Sequence, residues 1–257
     1  MTDKIVVHED RGILRVRINH PEKKNSLLPE MYVALCDAFR RAEETKSVRV
    51  LLLEGEGDMF TAGNDMSSFL AIKDADKNQE NPSMTLMKLA ALAQKPVVAA
   101  VNGPAVGIGI TLLSSVDLVY AAEEARFLAP FVNLGIVPEA GTTMLMPQFL
   151  GWQAAAEILL TGDWISAERA CEMGLVNRVV PLADLEETAM AACLNIASKP
   201  PESVRLTKQM MRGDTSALMA RIEYEMTVLA QCAESDEMKE AVMAFLEKRK
   251  PDFSKFG

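Results

Sequence analysis

Apolar and polar positions along the chain fall into two regimes. In the first half, short apolar runs alternate with amphipathic stretches: Ile5-Val7 and Ile13-Ile18 read as strands, Pro29 to Glu44 as an amphipathic helix, and Val48-Glu54 (VRVLLLE) as another strand. After Gly55-Glu56-Gly57 come the loop FTAGNDMSSF, a polar stretch (KDADKNQENP), a helix from Ser83 to Gln94 and a strand at Pro96-Val101. The glycine-rich segment Asn102-Gly109 opens a helix that runs to Ser115, and Asp117-Ala121 is the next strand. This rhythm predicts an α/β fold.

From Gly141 onward the pattern is mainly helical, with Ser166-Gly174, Leu182-Ser198, Glu202-Arg212, Ser216-Cys232 and Asp236-Lys248 as successive elements. Met219, Ile222, Met226 and Leu229, then Val242, Phe245 and Leu246, repeat at helical spacing and predict buried or subunit-facing stripes. Residues 1-198 are therefore expected to form the core and 199-257 a helical appendage.

Composition narrows the chemistry. The chain of 257 residues, 49% hydrophobic and 25% charged, suits one large domain with an appendage and has no apolar run near the roughly 18 to 20 residues that a membrane span needs. The start, MTDKIVVHEDRG, lacks an apolar signal core, so a cytoplasmic protein is expected. A net charge of -9 argues against nucleic acid as a partner. The four cysteines (Cys36, Cys171, Cys193, Cys232) are far apart and read as reduced thiols in helices. Only His8 and His20 are present, read as surface or strand-end residues, so a search for an acid or base turns to carboxylates.

Three segments carry candidate chemistry. NGPAVGIGITLL (Asn102 to Leu113) has glycines where a strand ends and a helix starts, so backbone N–H groups are available to an oxyanion; its GxxxGxG order is not a dinucleotide fingerprint. FTAGNDMSSF places Gly63 where the backbone can approach a ligand closely. In LAPFVNLGIVPEAGTTMLMPQFLG (Leu128 to Gly151), Glu139 is the only charged residue. Apolar surroundings would raise its pKa and make it a proton carrier near neutrality; alternatively it caps a helix at Ala140-Phe149 as a first-turn acid. The residues alone leave both open.

These segments, with RVRINHPEKKNSL, LTGDWISAERACEMGLVNRVV, KPPESVRLTKQM and EMKEAVMAFLEKRKPDF, resemble the crotonase superfamily, the enoyl-CoA hydratase/isomerase family, over nearly the whole chain. The resemblance implies a crotonase-like spiral of ββα units, a C-terminal helical trimerisation region, and a homotrimer or dimer of trimers. It implies an acyl-CoA thioester as substrate, with no cofactor beyond the coenzyme A that the substrate carries and no metal. The backbone N–H groups of Asn64 and Ile108, after Gly63 and Gly107, match the family's oxyanion hole. Lys24, Ser26, Leu28, Ala62, Asp65 and Met66 match its coenzyme A site, and Lys73-Pro82 would border the acyl tunnel. Lys248-Arg249-Lys250 offers a further phosphate contact or a solvated helix end.

The two glutamates with which hydratases hold water match Thr111 and Phe131, whereas Glu139 stands where Δ3,Δ2-enoyl-CoA isomerases carry their single glutamate. The expected activity is that isomerisation. The alternatives are a hydratase, an isomerase of epoxide- or ring-bearing acyl-CoA whose relatives carry aspartate at that position, and a non-catalytic binding protein. RNA binding is disfavoured because PEMYVALCDAFRRAEET holds two arginines against four acids.

Overall fold

A computed structural model describes residues 2–65 and 81–256. Strands β1 (Ile5–Asp10) and β2 (Ile13–Ile18) pair antiparallel across Arg11-Gly12, both at positive φ, the conformation that a two-residue hairpin needs. Helix α1 (Pro29–Glu44) starts on a proline in its first turn and leads to β3 (Val50–Gly55). After α2 (Pro82–Leu92), the chain forms β4 (Val97–Val101), the two-residue β5 (Ala105–Val106), the one-turn helix α3 (Ile108–Thr111), β6 (Leu118–Ala122) and β7 (Arg126–Leu128). Then come α4 (Thr142–Leu150), α5 (Trp152–Thr161), β8 (Ile165–Ser166), α6 (Ala167–Met173), β9 (Arg178–Val180), α7 (Leu182–Ala197), α8 (Pro201–Arg212), α9 (Ser216–Cys232) and α10 (Asp236–Leu246).

The larger sheet has the order β1-β2-β3-β4-β6-β9, parallel from β2 onward, and β5, β7 and β8 form a smaller sheet. The chain passes directly from the large sheet to the small one (β4 to β5, β6 to β7) and returns through helices (α3 after β5, α6 after β8), which is a spiral. Both faces of the large sheet are covered, so its central strands β3, β4 and β6 are nearly all apolar rather than alternating, whereas β1 and β2 toward the edge carry charged residues. Leu14, Val16, Leu51 and Leu53 face the main core with Met31 and Leu35 of α1; Ile13, Val50, Leu52 and Val98 face Leu185, Ala189 and Cys193 of α7.

The helical end is anchored by a buried cation. Lys208 on α8 reaches Asp117 Oδ2 at 2.5 Å and the Lys95 carbonyl at 2.7 Å, and Arg212 binds the Ser115 carbonyl at 2.7 Å. Asp117 Oδ2 also accepts the Val97 N–H, so α8 is tied to the strand that leads into the glycine segment. From that anchor α9 lies against α2 and α4 through Ala91, Leu218 and Ile222.

Several expectations need adjustment. Strands β5, β7, β8 and β9 have only two or three residues, too few to show a period. The helix expected to run to Ser115 divides into α3 and a 3-10 turn at Leu112–Ser115. On α9 Ile222 of the expected stripe is buried and Met219, Met226 and Leu229 are partly buried, with Leu218 and Glu225 buried beside them; on α10 Val242 packs on the core, whereas Phe245 and Leu246 are exposed. His20 sits at a strand end but is buried, its Nδ1 bound to the Ser26 carbonyl at 3.0 Å, rather than on the surface.

Candidate active site

Three chain segments from distant parts of the sequence are stitched side by side by their backbones. Ala62 N–H donates to the Lys24 carbonyl at 3.0 Å, Leu27 N–H to Gly63 at 2.8 Å, and Asp65 N–H to Leu27 at 3.1 Å. On the other side Val106 N–H donates to the Thr61 carbonyl at 3.0 Å. Gly63, at φ +85, leaves no room for a side chain: a Cβ would stand 2.8 Å from the Val106 carbonyl oxygen and 3.8 Å from the Gly107 Cα. Gly107 has φ 59 and ψ -117, a conformation that residues with a Cβ rarely adopt.

This packing uses nearly every backbone donor in the two loops. Among the described residues, the N–H groups of Asn64 and Ile108, each following one of the two glycines, are among those left without a hydrogen-bond partner. Ile108 is the first residue of α3, where helix geometry leaves the N–H free and the local field favours negative charge.

Glu139 lies in the turn before α4 and is 5% exposed; its Oε1 is buried without a partner. Burial, and then the nearby negative charge of Glu225, push its pKa up to about 8, and the Thr111 hydroxyl opposes the rise. Thr111 still falls short of a full hydrogen bond, since its own buried Oγ1 is also without a partner. Thr111 stands one turn beyond Ile108 on α3. From α1, the buried Tyr32 hydroxyl donates to Asn64 Oδ1, and its pKa is raised by burial and then by the charge of Glu139. Glu139 is therefore linked through Thr111 to the Ile108 loop and through Tyr32 to the Asn64 loop.

The helix-cap alternative for Glu139 does not hold. Helix α4 begins only at Thr142, with Gly141 as its N-cap, and its terminal N–H groups are taken by Glu225 of α9: Gly141 N at 2.6 Å and Thr143 N at 3.0 Å. Glu225 and Tyr32 are site residues that the sequence reading missed. The available signal for Glu225 was a carboxylate at helical spacing from Leu218 and Ile222, on a face that is otherwise apolar.

The remaining expected positions divide. Lys24 is exposed, at φ 55, with no ion pair among the described residues; Ser26 is buried, and Leu28, Ala62 and Asp65 are partly buried. Met66, and the Lys73-Pro82 stretch up to residue 80, lie outside the described residues. Phe131 is buried and Thr111 fully so. Arg249 is engaged by Glu240 at 2.5 Å and Glu247 at 2.6 Å, so it is not free for a phosphate. Two clefts, one along Arg15 and Glu186 and one along Arg17, Glu54 and Asn102, lie on the α7 side of the sheet, away from Glu139. No group of three potential metal ligands occurs among the described residues, and no helix there is long and apolar enough to cross a membrane.

Comparison with known proteins bears on the same elements. The family model for enoyl-CoA hydratase/isomerase matches residues 8–255. The chain is similar to 1,2-epoxyphenylacetyl-CoA isomerase of Escherichia coli (strain K12), at 33% identity over 99% of both chains. It is 34% identical to enoyl-CoA delta isomerase 2 of Rattus norvegicus over 96% of this chain, spanning 64% of that longer relative. A crystal structure of an enoyl-CoA hydratase/isomerase from Pseudoalteromonas atlantica T6c superposes with a TM-score of 0.93 at 36% identity, covering 98% of this chain and 100% of that one. The spiral with its helical C-terminal region is thus a crotonase fold.

Proposed function

The chain belongs to the enoyl-CoA hydratase/isomerase family, and from that premise we propose that it converts a 3-enoyl-CoA into the trans-2-enoyl-CoA by a proton transfer through Glu139. The observation that carries this reading is a buried carboxylate, Glu139, its pKa raised to about 8 and one oxygen without a partner, facing residues of the loops that carry two unpartnered backbone N–H groups. Glu139 takes a proton from C2, and the C–H electron pair moves into the thioester to give a dienolate. The enolate oxygen is held by Asn64 N–H and Ile108 N–H, each such donor being worth about 3 kcal/mol in the transition state. Glu139, now a carboxylic acid, returns the same proton to C4 as the C2–C3 double bond forms. The reaction needs no cofactor beyond the coenzyme A that the substrate carries. Lys24, unpaired at the rim beside Ala62, is the proposed phosphate contact, with Ser26, Leu28 and Asp65 along the same segments.

Hydration is disfavoured by the side chains. A water held for addition needs a second carboxylate, and the positions that would supply one are Thr111 and Phe131. Glu225 cannot substitute, because its two oxygens accept from Gly141, from the Thr143 N–H and, at 2.5 Å, from the Thr143 hydroxyl. A second reading, isomerisation of a ring- or epoxide-bearing acyl-CoA, is favoured by the end-to-end similarity to 1,2-epoxyphenylacetyl-CoA isomerase. We further propose a cytoplasmic trimer or dimer of trimers, in keeping with exposed apolar residues on α8 to α10.

Purified protein given a 3-enoyl-CoA should develop conjugated-thioester absorbance. Glu139→Gln should lower that rate by roughly 10²- to 10⁴-fold while coenzyme A binding persists. Consumption of a 2-enoyl-CoA with no action on the 3-enoyl isomer would sink the reading. Turnover of only the epoxide substrate would select the second one. An unchanged rate in Glu139→Gln would leave a carboxylate-independent protein.

A further inference from the structure

Glu225 lies 84 positions beyond Gly141 in sequence, yet its carboxylate closes on the turn that carries Glu139. The turn is unusual. Ala140 has φ 64 and Gly141 φ 74, two successive left-handed residues, the first of them carrying a side chain. An alanine there is strained by about 1 to 3 kcal/mol, and such a conformation persists only where the surroundings dictate it. Helix α9 supplies those surroundings: Leu218 fills the space where a Cβ on Gly141 would stand, Ile222 packs beside it, and Glu225 completes the same helical face.

We propose that Glu225 is a positioning residue for Glu139, clamping the 139–143 turn through three hydrogen bonds and standing behind it as a fixed negative charge. The inference rests on the reading of Glu139 as the acid/base group. The hydrogen-bond geometry favours the ionised form of Glu225. Two of its donors are backbone N–H groups, and the third is the Thr143 hydroxyl, which accepts from Arg221 Nη1 at 3.2 Å and so directs its hydrogen to the carboxylate. Burial raises the pKa of Glu225, and these three donors and the Arg221 charge oppose the rise by favouring the acceptor-only carboxylate.

The surroundings name the competing charges. Glu139 faces Tyr32 from α1 and Glu225 from α9, and Glu225 is offset in part by Arg221 on its own helix. From α2, Lys88 is engaged by Glu223 at 2.8 Å. A like charge behind a buried carboxylate makes its ionised form less favourable, so Glu225 keeps Glu139 a stronger base than burial alone would. A purely structural cap would fix the turn without affecting how Glu139 titrates.

The test is a carboxyl ¹³C NMR titration of glutamate-labelled protein, with the Glu139 resonance assigned by its absence in Glu139→Gln, beside the pH profile of kcat. Glu225→Gln removes the charge. Its Glu139 midpoint and the acid limb of the profile should both move to lower pH, and plateau kcat should fall roughly ten- to a hundredfold as the turn loosens. Thr143→Val keeps the charge and both N–H contacts and removes only the hydroxyl, and serves if Glu225→Gln does not fold; it should lower kcat with the titration unmoved. A folded Glu225→Gln with an unmoved Glu139 midpoint overturns the proposal, as does a Thr143→Val protein with wild-type kcat. An active Glu139→Gln enzyme would instead overturn the assignment of Glu139 itself, whatever Glu225 does.

Discussion

Glu139 carries both the proposed chemistry and an energetic penalty, and the two share one cause. Desolvation in the turn before α4, with the charge of Glu225 behind it, moves its pKa from the usual carboxylate range to about 8. In the substrate-free protein the base form therefore appears only as pH rises through about 8. The value of kcat/KM should climb about tenfold per pH unit on the acid side and level off above that point. Stability runs in the opposite direction. A group whose folded pKa is raised favours the folded state fully below its unfolded pKa, and that contribution is lost as pH rises toward the folded value. Wild-type protein should lose, relative to Glu139→Gln, on the order of 4 kcal/mol between pH 4.5 and pH 8. Urea unfolding of both proteins across that window checks the difference. Parallel curves would mean that Glu139 is solvated.

At the scale of elements, the oxyanion site depends on two glycine loops lying closer than side chains permit. Gly63 is the sharper case, with φ +85 and a Cβ position 2.8 Å from the Val106 carbonyl. Gly63→Ala should push the loops apart, destabilise the protein by about 1 to 3 kcal/mol, and lower kcat by about 10² or more as Asn64 N–H loses its aim. Wild-type kcat in a folded Gly63→Ala protein would exclude Asn64 as a donor. These loops were legible in the sequence because their signals are local: a glycine between strand and helix, a lone acid in VPEAGTT. The α1 boundaries were legible too, from Pro29 and an amphipathic period. Tyr32 and Glu225 were not, because what matters about them is a partner far along the chain: Asn64 for one, Gly141 and Thr143 for the other. Helix α9 was found at its observed limits, but counting its stripe from Met219 instead of Leu218 hid a buried carboxylate among the solvent-facing acids. Strands such as β5 and β8 have two residues, and only pairing defines them.

For the whole molecule, the question is what holds α9 in place. Its contacts within the chain include the small cluster of Ala91, Leu218 and Ile222, the Glu225 clamp, the Lys88–Glu223 pair and Met226 against the main core, with the Lys208 anchor one helix earlier. The outward sides of these helices are apolar: Met210 and Met211 at the end of α8, Tyr224 on α9, and Phe245 and Leu246 on α10 are all more than half exposed in the single chain. A free subunit rarely leaves so many large apolar side chains in water, and subunit contacts would cover them. If the expected assembly forms through these helices, it also braces α9 from outside, and the geometry of Glu139 depends on a neighbour that contributes no catalytic group. Light scattering should then give three or six times the 28.1 kDa of one chain. Met211→Glu should shift the protein toward monomer and lower kcat with little change in KM, since the proposed coenzyme A contacts at Lys24 and Ala62 lie outside α8 to α10. A monomeric Met211→Glu protein with full kcat would show that α9 is held by its own chain alone.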